Sequence, residues 1–450
     1  MNIVIVGGGT VGYAICTQLA REDHNITIVD ADRATLSEIA DSCDIFGVVG
    51  NGADISVLRR AGAESADLLI AVSPEDEINI LCCAAARKLG TKHTVARVRN
   101  PEYSELMQLL RSEMNLSFTI NPELAAAKEI YRLLRFPSAA KIDTFCHGRV
   151  ELAQFTVTEG APICGETLID LRKKLNVTFL VCGVLREGKA YIPAGDFTIR
   201  AGDSICVTAP EKEITKFFKA IGVYKNPVKN VLIVGGGRTT YYLESMLRDG
   251  KIDSTVIEND SELCRELASD FDCTVICDNG TRQETLLESG IENADAFLAL
   301  SDVDEENAII SMYAKTQNVG KIITMISRMS YIDFFKSAGL ESIVSPRSST
   351  AAQILRYVRS MAGTHGSAIE SLHKIMDGKL EAVEISVNDD IPELTGIPLK
   401  QLRPRQGVLV ACIVRKSSVM IPGGDDSVMK GDRVIVVSTA GRINSIKDII

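Results

Sequence analysis

The chain has 450 residues, of which 59 are acidic and 49 are basic, so its formal charge is −10. This acidic excess disfavours a nucleic-acid-binding protein, because such proteins usually carry a basic excess. The length allows about three domains of ordinary size, and an apolar fraction of 46% supplies side chains for several cores. The twelve cysteines include no C-x-x-C pair, which predicts buried reduced thiols instead of a zinc site.

The sequence shows no targeting or membrane-spanning segment. Met1 is followed at once by an apolar strand, without the charged region and apolar core of a signal peptide. No apolar stretch reaches the roughly 18 residues that a transmembrane helix needs. We therefore expect a soluble, cytoplasmic protein.

In chain order, the first element is a short apolar strand over residues 2–6 that runs into Gly7, Gly9 and Gly12. Further β-branched runs predict strands at residues 26–30, 45–49, 68–72, 94–98 and 118–120. Helical patterns fill the intervals, for example at residues 75–89 and 102–113. This alternation predicts an α/β fold with a doubly wound parallel sheet.

One helix start has a recognisable local pattern. Ser73 would be the N-cap, Pro74 the first helical residue and Asp76 the third. Ser301 and Asp304 repeat that cap later in the chain.

The whole pattern recurs at a fixed offset, because Gly235 lies 228 residues after Gly7. The other matches at this offset are Asp30 with Glu258, residues 51–52 with 279–280, 66–67 with 294–295, and 71–73 with 299–301. Such a run of matches indicates an internal duplication.

A different kind of segment follows each copy, read as short strands with one helical piece. The turns at residues 193–196 and 201–203 recur at 422–425 and 430–432. The predicted domains are two Rossmann-like nucleotide folds, each followed by a small α+β module, at residues 1–137, 138–225, 226–364 and 365–450. Residues 225–227 form the predicted linker between the halves.

The first copy has the features of a dinucleotide site. Gly9 allows the backbone to approach a pyrophosphate, whose charge the following helix N-terminus favours. Asp30 lies 23 residues after Gly7, where a carboxylate can bind a ribose diol. An acid at this position repels a 2′-phosphate and so favours NAD(H) over NADP(H). Arg33 either touches the adenosine end or is a solvated surface residue.

The second copy is altered. Gly235, Gly237 and Glu258 remain, but Thr240 replaces the third glycine and Arg238 replaces Thr10. The copy is therefore either a modified nucleotide site or a structural remnant. Arg238 either pairs with phosphates or bridges to an acid on another domain.

This combination resembles the TrkA-like regulatory subunits of bacterial Trk potassium uptake systems, which are double RCK proteins. The resemblance covers essentially the whole chain. The residues that carry it are 7–12, Asp30, 51–53, 121–123 and the duplicated Pro-x-Gly-Asp turns.

The resemblance implies which residues of the first fold contact the nucleotide. They are Gly7, Gly9, Thr10, Val11, Gly12, Asp30, Asn51, Gly52, Ala71, Val72, Ser73, Arg97 or Arg99, and Glu123. In the second fold Arg347 stands where Glu123 stands in the first. Together with Arg238 it suggests a second site that prefers a phosphate-rich or singly adenylated ligand, or one held by an ion pair between domains.

The resemblance also implies the function. The chain would be a non-enzymatic subunit that binds NAD(H) at the first site and ATP, ADP or AMP at either site. It would form a homotetrameric ring on the inner face of the cell membrane and gate a potassium channel subunit there.

Two other functions compete with this one. An NAD-dependent oxidoreductase is the reading that the glycine fingerprint alone suggests, but it needs an acid/base group near the nicotinamide. None of the five histidines lies in a recognisable catalytic motif; they are His24, His93, His147, His365 and His373. A stand-alone sensor or cation-efflux regulator is the other alternative, and the duplication favours the Trk type over it.

Overall fold

The protein is described here from a computed structural model. It describes residues 1–22, 24–103, 116–146, 148–224, 226–362, 367–402, 404–416, 418–439, 443 and 445–450. Most of the helix predicted at 102–113, two of the histidines and the first linker residue lie outside these ranges; they are residues 104–113, His147, His365 and Lys225. The chain divides into two compact units, one made of Met1–Tyr131 with Lys229–Leu355 and the other of Arg132–Val228 with Arg356–Ile450.

The first unit contains two copies of one parallel α/β fold. The strands of the first copy are β1 (Asn2–Val6), β2 (Asn25–Asp30), β3 (Phe46–Val49), β4 (Leu68–Ala71), β5 (His93–Arg97) and β6 (Phe118–Ile120). Its helices are α1 (Thr10–Leu19), α2 (Arg33–Ser42), α3 (Ile55–Arg60), α4 (Asp76–Leu89) and α5 (Pro122–Arg135). A short 3₁₀ helix, Ala20–Glu22, follows α1.

The segment between the two copies in sequence belongs to the second unit. Its strands are β7 (Lys141–Phe145), β8 (Val150–Thr156), β9 (Leu180–Arg186), β10 (Lys189–Tyr191) and β11 (Ser204–Ala209), and its helices are α6 (Leu168–Lys174) and α7 (Glu211–Ala220).

The second copy repeats the first. Its strands are β12 (Asn230–Val234), β13 (Asp253–Glu258), β14 (Thr274–Cys277), β15 (Ala296–Ala299), β16 (Lys321–Met325) and β17 (Ser342–Val344). Its helices are α8 (Arg238–Gly250), α9 (Ser261–Asp270), α10 (Gln283–Glu288), α11 (Asp304–Thr316), α12 (Met329–Ser337) and α13 (Pro346–Ala362). A 3₁₀ turn, Ile291–Asn293, follows α10.

Both sheets have the strand order expected of a doubly wound fold. The orders are β3-β2-β1-β4-β5-β6 and β14-β13-β12-β15-β16-β17, and every pairing within them is parallel. The central strands are continuous apolar runs, as in β4 where all four residues are buried, because helices cover both faces of such a sheet. The strand order reverses between β1 and β4, so a crevice opens at their carboxyl ends.

The predicted serine caps are wrong. Helix α4 begins at Asp76 after Glu75, and α11 begins at Asp304 after Val303, with no side-chain cap at either start. The two aspartates instead accept backbone N–H groups from the loop after the neighbouring strand, so their role is to join two loops. That contact is distant in sequence, and local spacing gave no sign of it.

The second unit contains two antiparallel sheets, ordered β10-β9-β11-β8-β7 and β18-β19-β22-β20-β21. The remaining strands are β18 (Ser367–Ile375), β19 (Leu380–Val387), β20 (Val408–Arg415), β21 (Ser418–Met420) and β22 (Arg433–Ser438). One apolar core is shared by both sheets, since Phe145 and Cys182 of the first module cluster with Leu380 and Cys412 of the second.

The prediction of a single helical piece in each module is wrong for the first module. The first module has two helices, α6 and α7, whereas the described residues of the second module form turns where α6 would be and end in a 3₁₀ turn, Ile446–Ile449. Pro398 and Pro404 occupy that turn region, and a proline inside a helix removes a hydrogen bond and clashes with the preceding turn.

Corresponding ion pairs, each with a buried aspartate, hold one turn in each module. Arg186 contacts both carboxylate oxygens of Asp203, at 2.7 and 2.6 Å, and Arg415 contacts both oxygens of Asp432 at 2.8 Å. Each aspartate is 1% exposed.

Among the described residues, no helix combines the length and apolar character that crossing a bilayer requires.

Candidate nucleotide-binding site

A cleft of about 690 Å³ lies at the carboxyl ends of β1 and β4. This is the reversal point of the strand order, where open parallel sheets bind their ligands. The sequence-predicted residues that line it are Gly7, Gly9, Thr10, Val11, Asp30, Asn51, Gly52, Val72, Ser73 and Arg97. Gly12, Ala71 and Glu123 are not among its described lining residues. Gly12 packs beneath the loop, Ala71 ends β4, and Glu123 lies 3.9 Å from Arg99.

The glycine loop has the geometry that its sequence predicts. Gly7 has a φ of +100°, a conformation that glycine adopts without steric cost. A Cβ atom at Gly12 would lie 1.9 Å from the carbonyl oxygen of Gly7, whereas one at Gly9 would meet nothing within 4 Å. Gly12 therefore lets α1 pack against the loop, and Gly9 leaves open space for a ligand.

Asp30 is the last residue of β2 and is held in place by the loops around it. One carboxylate oxygen accepts the Gly8 N–H at 2.6 Å and the other accepts the Asp32 N–H at 2.8 Å. Each oxygen of a carboxylate can accept a further hydrogen bond. The acid is thus oriented at the edge of the cleft with acceptor capacity left for a diol.

Sequence reasoning missed two residues that hold the floor of the site together. The buried Asn79 accepts the Ser73 N–H at 2.7 Å and donates to the carbonyl oxygens of Ser73 and Arg97, both at 3.0 Å. Asp76 accepts the backbone N–H groups of Arg99 at 2.7 Å and Asn100 at 2.8 Å. These contacts fix the loop after β4 against the loop after β5.

A signal for both residues was present in the duplication. Asp76 and Asn79 recur at the same offset as Asp304 and Asn307. Asn307 makes the same set of contacts, donating to the carbonyl oxygens of Ser301 at 2.7 Å and Met325 at 3.0 Å.

Charged side chains gather at one end of the cleft. Arg97 is 9% exposed and donates to the Ser73 carbonyl oxygen at 2.5 Å, while its Nε has no hydrogen-bond partner among the described residues. Arg99 lies 3.6 Å from Asp76 and 3.9 Å from Glu123. Burial and the neighbouring Arg99 lower the pKa of Arg97, and burial raises the pKa of Glu123 against the opposing effect of the arginines.

Helix α8 of the second fold reaches this charged end. The Tyr242 hydroxyl donates to the Arg99 carbonyl oxygen at 2.8 Å and accepts from the Asn121 amide at 2.8 Å. Arg238, at the start of the same helix, carries a charge that lowers the pKa values of both Arg97 and Glu123. The second glycine loop is thus in electrostatic contact with the first site.

The second loop keeps the shape of the first. Gly235 has a φ of +104°, and Glu258 accepts the Gly236 N–H at 2.6 Å as Asp30 does for Gly8. The Thr240 hydroxyl, at the position of Gly12, donates to the Gly235 carbonyl oxygen at 2.6 Å. The substitution is therefore accommodated by a hydrogen bond within the loop.

The charges around the second loop differ from those around the first. Met325 occupies the position of Arg97, as the matching contacts of Asn307 and Asn79 show. Arg347 is partly buried, which lowers its pKa against the opposing charge of Asp304. The second fold therefore lacks the buried arginine that lines the first cleft.

Comparison with known proteins identifies both kinds of segment. The TrkA-N domain model matches residues 3–117 and 231–346, and the TrkA-C domain model matches residues 152–222 and 382–450. The chain is 32% identical over 451 residues to a Trk system potassium uptake protein TrkA homolog of Archaeoglobus fulgidus, covering 100% of both chains. It is 32% identical over 442 residues to the Trk system potassium uptake protein TrkA of Halomonas elongata, covering 97% of this chain and 95% of that one.

Solved structures agree on the fold. The GsuK channel is similar with a TM-score of 0.64 at 18% identity, covering 98% of this chain and 77% of that chain. A structure of the GsuK channel bound to NAD gives a TM-score of 0.63 at 18% identity, with the same coverage. With two TrkA-N and two TrkA-C segments in sequence, and full-length similarity to TrkA proteins, the chain belongs to the TrkA family.

Proposed function

We propose that this chain is the cytosolic nucleotide-binding regulatory subunit of a Trk-type potassium uptake system. Relatives with this name match it from end to end. The observation that carries the proposal is the cleft of the first fold, with its glycine loop and oriented Asp30. No acid/base constellation beside this cleft is required, because a regulator acts through binding alone.

NAD(H) is the ligand that the ribose end of the cleft favours. Asp30 would bind the adenosine ribose diol, and its charge would repel a 2′-phosphate. Gly9 is the N-cap residue of α1 and supplies no side-chain cap, so the N–H groups of the first helical turn are available for the pyrophosphate. Asn51, Gly52, Val72 and Ser73 would line the flanks of the bound nucleotide.

The charged end of the cleft favours the binding of ATP and ADP in competition with NADH. Arg97, Arg99 and Arg238 supply three guanidinium groups there, against the carboxylates of Asp76 and Glu123. Arg97 lines the cleft together with Glu75, and its guanidinium can pair with an anionic ligand group such as a terminal phosphate. ATP, ADP and NADH would therefore differ at the end of the cleft that the second fold contacts.

That difference supplies a route for gating. A ligand shifts a conformational equilibrium only by its unequal affinity for the two states. Arg238 and Tyr242 belong to the second fold and sense the first site, so a ligand that draws Arg238 inward changes how the two folds sit within this unit. We propose that such a change, repeated in a ring of four chains at the inner membrane face, opens or closes the potassium channel subunit.

Calorimetric titration of the full chain with NADH, NAD, ATP and ADP tests the proposal. Asp30→Ala should weaken NADH binding by about 10- to 100-fold, because a charge-assisted hydrogen bond contributes about 1.5–3 kcal/mol. Glu258→Ala is the matched control at the same position of the second fold and should leave the tight site intact. Loss of NADH binding in the control alone would place the site in the second fold and contradict the proposal.

An NAD-dependent oxidoreductase is the competing function, and the same titration can be extended to examine it. NADH oxidation would be followed with carbonyl substrates, and NAD⁺ reduction would be followed with hydroxy-acid substrates. Substrate-dependent turnover that Asp30→Ala abolishes would support the oxidoreductase, whereas binding without turnover supports the regulator.

A further inference from the structure

Two cysteines of the second nucleotide fold meet at the acid that ends β13. Cys277 ends the neighbouring strand β14 and is the register partner of Glu258. Cys264 lies in the first turns of α9, and its thiol donates to the Glu258 carbonyl oxygen at 3.3 Å. Cys277 also lies close enough to Cys264 to add to the effect of burial in raising the pKa of the Cys264 thiol.

We propose that Cys264 and Cys277 form a reversible thiol–disulfide site whose reaction partner is a low-molecular-weight disulfide. This inference concerns covalent modification and goes beyond the proposed nucleotide regulation. It rests on the joint position of the two cysteines at Glu258, with Cys277 exposed and Cys264 buried.

The two thiols differ in the way that ordered disulfide exchange requires. Burial and the adjacent Cys277 raise the pKa of Cys264 to about 12, so Cys264 is a poor nucleophile toward a disulfide in solution. Cys277 is exposed and can be reached by a small disulfide from solvent. Cys277 is therefore the attacking residue and Cys264 the resolving residue.

The thiol–disulfide exchange proceeds in two steps. The Cys277 thiolate attacks one sulfur of the small disulfide and expels the other half, which leaves as a thiol after taking a proton. The Cys264 sulfur, as it loses its proton to solvent, then attacks the Cys277 sulfur and expels the second half as a thiol. Two protein thiols are oxidised, and one small disulfide is reduced to two thiols.

Oxidation changes the hydrogen bonding of the second glycine loop. A disulfide sulfur carries no hydrogen, so the Glu258 carbonyl oxygen loses the bond from Cys264 and keeps the Asp278 N–H at 3.0 Å. The same glutamate holds the Gly236 N–H through its side chain at 2.6 Å. The redox state of the pair is thus linked to the loop through one residue.

The first nucleotide fold supplies an internal comparison. Cys16 and Cys43 are also neighbours, since burial and the adjacent Cys43 together raise the pKa of the Cys16 thiol, and neither cysteine is exposed. The Asp30 carboxylate accepts hydrogen bonds from the backbone N–H groups of Gly8 and Asp32. Cys16 is buried and Cys43 is half-buried, so this pair lacks the exposed attacking thiol.

The full chain would be equilibrated in buffers of reduced and oxidised glutathione, trapped by alkylation and mapped by peptide mass spectrometry. We expect an internal disulfide between Cys264 and Cys277 while Cys16 and Cys43 still alkylate as thiols. In Cys264→Ser, Cys277 should stop as a mixed disulfide with glutathione. A wild-type chain in which Cys277 stays a thiol or keeps its glutathione would overturn the proposal, whatever the variant does.

Hydrogen exchange of the peptide that contains Gly236 tests the link to the loop. Exchange should rise several-fold on oxidation of the wild type and stay unchanged in Cys264→Ser under the same buffers. Equal exchange in the oxidised and reduced wild-type chains would overturn the link.

Discussion

The hydroxyl of Tyr242 donates to the backbone carbonyl of Arg99 at 2.8 Å and ties the helix that follows the second glycine loop to the charged end of the first cleft. It also accepts from the Asn121 side chain, so both hydrogen-bonding functions of the phenol are used. One residue of the second fold therefore holds two loops of the first.

Tyr242→Phe removes both bonds while keeping the ring. The Arg99 carbonyl and the Asn121 amide keep their mutual contact at 3.4 Å but lose their shorter bonds to the phenol, so we expect a loss of about 1–3 kcal/mol in the free energy of unfolding of this unit. Urea denaturation would measure it. Tyr241→Phe is the matched control, since that hydroxyl contacts the exposed Asp270, and an equal loss in both variants would contradict the assigned role of Tyr242.

Two alanine substitutions in the first glycine loop should separate folding from binding. Gly12→Ala places a Cβ 1.9 Å from the Gly7 carbonyl oxygen and should destabilise the fold, lowering its melting temperature by several degrees. Gly9→Ala meets no protein atom within 4 Å and should leave the melting temperature unchanged while weakening NADH binding by at least tenfold. The comparison needs thermal melts and calorimetry, and a stable Gly12→Ala protein with normal NADH affinity would refute it.

The paired aspartates of the small modules should be equally important to stability. Asp203 and Asp432 are each 1% exposed, and an arginine contacts both carboxylate oxygens of each. Asp203→Asn and Asp432→Asn each remove the negative charge from that contact. We expect each to lower the free energy of unfolding by about 3 kcal/mol. Chemical denaturation would check this, with Glu213→Gln, which affects an exposed lysine pair, as the control expected to change little.

Acid pH should weaken the second unit through Asp143. Burial alone would raise the pKa of this carboxyl, but the charges of Lys141 and His373 lower it from 3.8 to about 2. Its stabilising contribution is therefore fully present above about pH 4 and is lost as the pH falls through 2. The shift corresponds to about 2 kcal/mol.

Asp143→Asn should abolish that part of the acid sensitivity. Unfolding free energies measured between pH 7 and pH 2 should fall more steeply in the wild type than in the variant, and the variant should be less stable at pH 7. Parallel pH profiles would show that Asp143 is not the group responsible.

Local patterns predicted the strands of the first nucleotide fold closely, because apolar runs ending in glycine or an acid have few alternative structures. Asp30 ends β2 and Glu258 ends β13 as predicted. The helix starts at Ser73 and Ser301 were wrong, since Asp76 and Asp304 bind backbone groups more than 20 residues away.

The charged end of the first cleft depends on tertiary contacts that spacing does not encode. The sequence left two roles open for Arg238, and its position near Glu123 becomes visible only when the two folds pack together. Asn79 and Asn307 were detectable in the repeat itself, but a buried asparagine inside an amphipathic helix resembles any other polar position until its partners are known.

The fusion of two nucleotide folds into one polypeptide has a consequence for stoichiometry. In an assembly of identical single folds, a substitution in the glycine loop would appear in every copy. Here Arg97 and Met325 occupy matching positions of the same chain, so the two loops can diverge independently. Any assembly built from this chain contains the two kinds of loop in a fixed one-to-one ratio.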